Sequence, residues 1–104
     1  MEYKVVITER ATTKLDGFVR YLLYEKKNGQ AATNVLNDFE ATKRNLAIVA
    51  GSLKLCDNPG LKALGYRRIN FLKHQYYMLY RIEGKSAVVD NIFHNLQDPN
   101  NYII

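Results

Sequence analysis

The chain has 104 residues, enough for one domain that buries a core without staples. Its 47% hydrophobic content and eight tyrosines exclude a disordered chain, and no apolar run reaches the ~18 residues of a membrane span. A net charge of +5 favours an anionic partner, and a single cysteine, Cys56, excludes an internal disulfide.

The start, Met1-Glu2-Tyr3-Lys4, leads straight into a strand pattern and is not expected to be a signal peptide; a cytoplasmic setting is expected. Tyr3-Lys4-Val5-Val6-Ile7-Thr8 reads as that strand, with Tyr3, Val5 and Ile7 on one face by the period of two. Thr8 is placed to cap a helix and Glu9 to meet its N-terminal dipole. Ala11, Leu15, Phe18 and Leu22 then recur at helical spacing, widened by Val19 and Leu23. Arg10, Lys14, Asp16, Arg20, Lys26 and Lys27 lie mostly off that stripe, as a solvated face does. Asn28-Gly29 is expected to end the helix, with glycine as a left-handed cap.

A second helix is expected from about Gln30 to Ala50, stopped by Gly51, with Ala32, Val35, Leu36, Phe39, Leu46 and Val49 as its stripe. So short a link predicts an antiparallel helical hairpin whose shared apolar face covers one side of a sheet. Val19, Leu23, Leu36 and Ile48 exceed one stripe, which predicts an exposed apolar groove for a partner at the hairpin or a sheet edge. Gly51 to Gly65 reads as a loop turning at Asn58-Pro59-Gly60, with Leu53, Leu55, Leu61 and Leu64 able to tuck under the domain.

Three β-prone runs follow: Tyr66 to Phe71, Tyr76 to Ile82 and Ala87 to His94. Short polar breaks and the turn Glu83-Gly84-Lys85 make them an antiparallel meander. The expected fold is α+β: a single domain, residues 1–104, with a helical hairpin packed on a four-stranded, mostly antiparallel sheet in the order β-α-α-β-β-β. The first strand reaches the sheet through both helices, so it is free to pair in parallel with a later strand.

Several runs carry a resemblance: Ala11-x-x-x-Leu15, Arg67-Arg68-Ile69, Tyr76-Tyr77-Met78-Leu79-Tyr80-Arg81 and Ile92-Phe93-His94-Asn95-Leu96-Gln97-Asp98. With the order of elements, they resemble the RelE/ParE superfamily of bacterial type II toxins over nearly the whole chain. The resemblance implies a small cytoplasmic toxin of the plasmid-stabilising, addiction type, inhibiting growth and neutralised by a cognate antitoxin. RelE-like members cleave messenger RNA on the ribosome; ParE-like members poison DNA gyrase and have no ribonuclease chemistry. Fold does not decide between them, so residues must.

Metal-free RNA cleavage needs a base for the 2′-hydroxyl, cations for the phosphorane and an acid for the leaving oxygen. For that chemistry His94 is the candidate acid or base. Arg68 and Arg81, with Arg67, are candidate phosphate forks, and Tyr102 is a candidate for stacking on a base or donating a proton. Arg67, Arg68, Lys54, Lys62 and Lys73 are candidate nucleic-acid contacts, and Gln97 and Asp98 sit where the tail leaves the sheet. No metal site or cofactor is expected, since Cys56 lacks a CxxC or His/Cys neighbourhood.

Each candidate has a plainer role. His94 can bond backbone at a strand end, Arg81 can pair with Glu83 or Asp90 across the hairpin, and His74 can be a solvated turn residue. Alternation puts Arg67 with Ile69 and Phe71 and Arg68 with Asn70, which favours Arg68 for contacts. RelE-like ribonucleases usually carry cations where this chain has Tyr77 and, approximately, Gln97. Each loss would cost about 3 kcal/mol of barrier. The expectation therefore leans to a ParE-like toxin directed at gyrase, with a ribosome-dependent mRNA interferase as the alternative.

Overall fold

The structure is a computed structural model, and it describes residues 2–96. Gln97, Asp98 and Tyr102 lie outside the described residues. The elements are β1 (Lys4–Ile7), α1 (Glu9–Arg20) continued by a π-helical turn (Tyr21–Glu25), α2 (Gly29–Val49), α3 (Pro59–Ala63), β2 (Arg67–Asn70), β3 (Tyr76–Glu83) and β4 (Ser86–His94). The four strands form one sheet in the order β1-β4-β3-β2. β1 pairs in parallel with β4, from Lys4 opposite Ser86 to Ile7 opposite Val89, and the other pairs are antiparallel. This is the α+β architecture expected from the element order, with the crossover through both helices making the parallel pair.

Thr8 caps α1 as expected, its Oγ1 accepting from the Ala11 N–H at 3.3 Å. The end of that helix differs from the expectation. Lys27, not Gly29, takes the left-handed conformation, at φ 50°. Asn28 caps α2 instead, its Oδ1 accepting from the Ala31 N–H at 3.0 Å, and Gly29 opens that helix. An asparagine can serve either helix, and here the second one claims it.

The stretch after α2 is not wholly loop. Asn58 Oδ1 accepts from the Leu61 N–H at 2.9 Å, Pro59 sits in the first turn, and α3 forms. Leu55 bridges to Arg67, and Cys56 N–H donates to Tyr66 O at 2.9 Å. Gly51 leaves room for the Tyr3 ring, which any Cβ there would strike.

These connections cover the sheet on both faces. Facing the helical hairpin are Ile69, Phe71, Met78, Tyr80, Ala87, Val89 and Ile92, packed with Ala11, Leu15, Val35, Phe39 and Leu46. On the opposite face Tyr66, Tyr77, Leu79 and Phe93 are buried, with Cys56 and Leu61 packed against them. Double coverage explains why Tyr77 to Tyr80 are all buried, without polar alternation. Leu36, expected in the α2 stripe, is 40% exposed, and Leu64 is exposed as well. Among the described residues no helix is long and apolar enough to cross a membrane.

Candidate functional site

The face away from the hairpin carries a row of cations and rings. The Arg68 guanidinium lies 3.8 Å from the Tyr77 ring centroid. Tyr77 stacks on Phe93 at 5.4 Å, and Lys14 Nζ, carried by α1 of the hairpin, comes within 4.7 Å of the Phe93 ring centroid. Burial lowers the Lys14 pKa from its ordinary value. Arg68 Nε also donates to Asn70 Oδ1 at 2.9 Å. Two contacts therefore fix a guanidinium that stays exposed. Beside it lies a cleft of about 460 Å³ between the sheet and the segment before α3, with Leu55, Leu61 and Leu79 on its walls.

Arg67 points the other way, as strand alternation requires, and its Nη1 donates to Leu53 O. Arg81 is held between carboxylates, with Nη1 2.6 Å from Glu83 and Nε 2.8 Å from Asp90. Glu83 and then Asp90 raise the Arg81 pKa further. Tyr66 donates its hydroxyl to the same Asp90 oxygen at 2.7 Å. Lys54 pairs with Asp57 at the surface, and Lys62 and Lys73 are exposed.

His94 is elsewhere. Its ring meets Tyr76 edge-on at 5.2 Å, and its Nδ1 accepts from the Leu96 N–H at 3.2 Å. It lines an open groove of about 730 Å³ with Lys14, Phe18, Tyr21 and Leu22, on the hairpin side of the sheet. The cause is a β-bulge. Leu79 pairs with Asn91 but Tyr80 with Val89, leaving Asp90 as an extra residue. Simple alternation from Val89 would put His94 on the face of Arg68 and Arg81; the extra residue turns it to the other face. Along β3, Arg81 and the partner of His94, Tyr76, are also five positions apart, about 17 Å. Arg68, Arg81 and His94 do not converge on one phosphate-sized point.

His74 is not a free turn residue. Its Nδ1 lies 2.7 Å from Oδ2 of Asp38, a carboxylate only 1% exposed. Sequence reasoning overlooked Asp38, although an acid beside the Val35 and Phe39 stripe is a signal of a core-facing role. Among the described residues no cluster of three or more His, Cys, Asp or Glu can hold a metal ion. On the hairpin, Leu23, Leu36 and Ile48 are 38%, 40% and 62% exposed, and Tyr21 and Tyr24 join them. Val19 is half-buried.

The family described as "ParE toxin of type II toxin-antitoxin system, parDE" matches residues 5–99. The chain belongs to the ParE toxin family. It is a toxin of the type II toxin–antitoxin class, and the family context supplies a cognate antitoxin as partner. A solved structure titled "Chromosomal ParDE TA system from P. aeruginosa" has the same fold, with a TM-score of 0.70 and 18% identity over 89% of this chain and 96% of that one. No curated protein matches the sequence. For this ParE-family chain, as for others, the fold leaves the target to be argued from side chains.

Proposed function

We propose that this ParE-family toxin inhibits growth by occupying a protein surface of DNA gyrase, within a plasmid-stabilising addiction pair, and not by cutting RNA. The observation that carries this reading is the bulge at Asp90, which puts His94 and Arg68 on opposite faces of the sheet. General acid–base cleavage needs the acid, the base and the cations within hydrogen-bond reach of one phosphate. Arg81, tied to two carboxylates, is a poor phosphate clamp. The cognate antitoxin docks on the apolar side chains Leu23, Leu36 and Ile48 of the hairpin.

A ribosome-dependent mRNA interferase is the second reading, favoured by the exposed, preoriented Arg68 and the net charge of +5. Two assays separate them. In plasmid supercoiling by gyrase, the toxin and its His94→Ala variant are expected to inhibit equally. In a bacterial translation extract, primer extension is expected to find the message intact. Breaks within codons, only on translated message and lost in His94→Ala, would overturn the gyrase reading.

A further inference from the structure

A separate cleft of about 360 Å³ lies between α2 and the β2–β3 turn, with Asn34, Asn37, Leu72, Lys73 and His74 in its lining. Its wall is fixed from inside. Asp38, ionised and 1% exposed, can only accept, so it makes Nδ1 the protonated nitrogen of His74, at 2.7 Å. Nε2 is then the ring atom that can meet a ligand. Gln30 Nε2 donates to Asn34 Oδ1 at 2.9 Å, so Asn34 offers its Nδ2 donors. Lys73 is exposed, as is Arg44, which follows Asn37 by two turns on the same face of α2, about 10 Å along the axis. Among the described residues no carboxylate pairs with either cation, and Glu40, the other acid of α2, is taken by Lys43 at 3.2 Å.

We propose that this cleft binds the backbone of double-helical DNA, one phosphate held by His74 Nε2, Lys73 Nζ and the Asn34 and Asn37 amides, and a neighbouring phosphate met by Arg44. The ring takes a proton from solvent as the phosphate arrives, and the Asp38 charge behind it balances the imidazolium. The charged groups facing His74 are thus Asp38 from α2 and Lys73 from the turn. Asp38 does not bar an anion, because its oxygens already accept from His74 and from the Leu72 and Lys73 N–H groups. A duplex fits better than a single strand. Among the described residues no aromatic ring lines the cleft for the stacking that single strands use. Backbone contacts of this kind position a duplex without reading its sequence. The choice of DNA over duplex RNA rests on the gyrase reading; the phosphate site itself does not.

The test titrates the full chain, without gyrase, into a labelled DNA duplex of about 20 base pairs, read by fluorescence anisotropy and then by NMR. Lys73→Gln and His74→Gln are each expected to weaken binding about fivefold, and Lys73→Gln to lower the slope of log affinity against log salt by about one. Binding should tighten from about pH 8 to about pH 6 in the wild type but not in His74→Gln. Shifts are expected at the Asn34 and Asn37 side-chain amides and the His74 ring. They need no variant, so they decide even if a variant folds poorly. Unchanged affinity in both variants would overturn the proposal, as would shifts confined to the face of Arg68. So would inorganic phosphate that moves these resonances as strongly as the duplex, which would mark a small-anion site only. An RNA duplex bound more tightly would overturn the choice of DNA. No readout involves supercoiling, so failure here leaves the gyrase reading standing, and failure of that reading leaves this site standing.

Discussion

Asp38 accepts a hydrogen bond from His74 Nδ1 at 2.7 Å, across 36 positions of sequence. The same carboxylate accepts from the backbone N–H groups of Leu72 at 3.0 Å and Lys73 at 2.9 Å. One side chain of α2 thus fastens the β2–β3 turn, and Thr42 Oγ1 supports it from one helical turn away. Removing a buried acceptor leaves its donors unsatisfied. Asp38→Ala is therefore expected to cost about 3 kcal/mol in urea unfolding, against about 1 kcal/mol for His74→Ala, whose side chain is partly solvated.

Acid should unfasten the same turn. Burial alone pushes the Asp38 carboxyl up, but the bonds from His74, Lys73 and Leu72 outweigh it and hold the pKa below the ordinary value. A depressed carboxylate stabilises the fold fully above the unfolded pKa of about 4 and loses that contribution as pH falls through the folded value. The stability gap between wild type and Asp38→Asn is expected to be widest near neutrality and to narrow below pH ~4. A gap independent of pH in denaturant titrations would refute this.

How much of this was legible follows from the range of each pattern. The α1 stripe Ala11-Leu15-Phe18 and the sides of Arg67 and Arg68 are local periodicities, so the sequence states them directly. α3 is five residues, too short for a period, although its Asn58-Pro59 start was readable as a cap. The bulge was not readable, because Val88, Val89, Ile92 and Phe93 are buried on both sides of Asp90 and alternation has nothing to break. Uninterrupted alternation along β4 would have put His94 on the face of Arg68, and the bulge separates them instead. The Asp38–His74 pair joins elements far apart in the chain, and no local rule couples them.

Asp90 itself should be sensitive for a second reason. Its Oδ2 serves both the Tyr66 hydroxyl and Arg81 Nε, on the residue that makes the bulge. Burial, then the bond and charge of Asp90, raise the Tyr66 phenol above its ordinary value. Asp90→Asn is expected to move the Tyr66 ionisation back down, read by NMR of its ring, and to cost about 2 kcal/mol of stability. A Tyr66 ionisation midpoint that is the same in wild type and Asp90→Asn would show that Asp90 does not act on it.

Tyr80 gives an alkaline counterpart. Its hydroxyl donates to Ala50 O at 2.7 Å, joining β3 to the end of α2, and the side chain is fully buried. Burial pushes its pKa from 10.0 up to about 12. A raised acid contributes stability that is complete below the unfolded pKa and disappears as pH rises through the folded one. Stability is therefore expected to fall between pH 10 and 12, and Tyr80→Phe should flatten that fall while losing about 1 kcal/mol at neutral pH.

Cys56 reports on Arg68. The thiol is half-buried in the wall of the cleft, and burial raises its pKa while the Arg68 charge pulls it back down. The thiolate is the form that alkylates, so folded Cys56 should react with iodoacetamide more slowly than in the urea-unfolded chain. Arg68→Gln removes the opposing cation and should slow the folded protein further. The change should stay within about threefold, because an exposed charge is screened. Rates followed by mass spectrometry at several salt concentrations check this, since the Arg68 contribution should shrink as salt rises and the burial contribution should not. A faster reaction in Arg68→Gln would mean that Arg68 shields the thiol by covering it, and the electrostatic account of the cleft would fail.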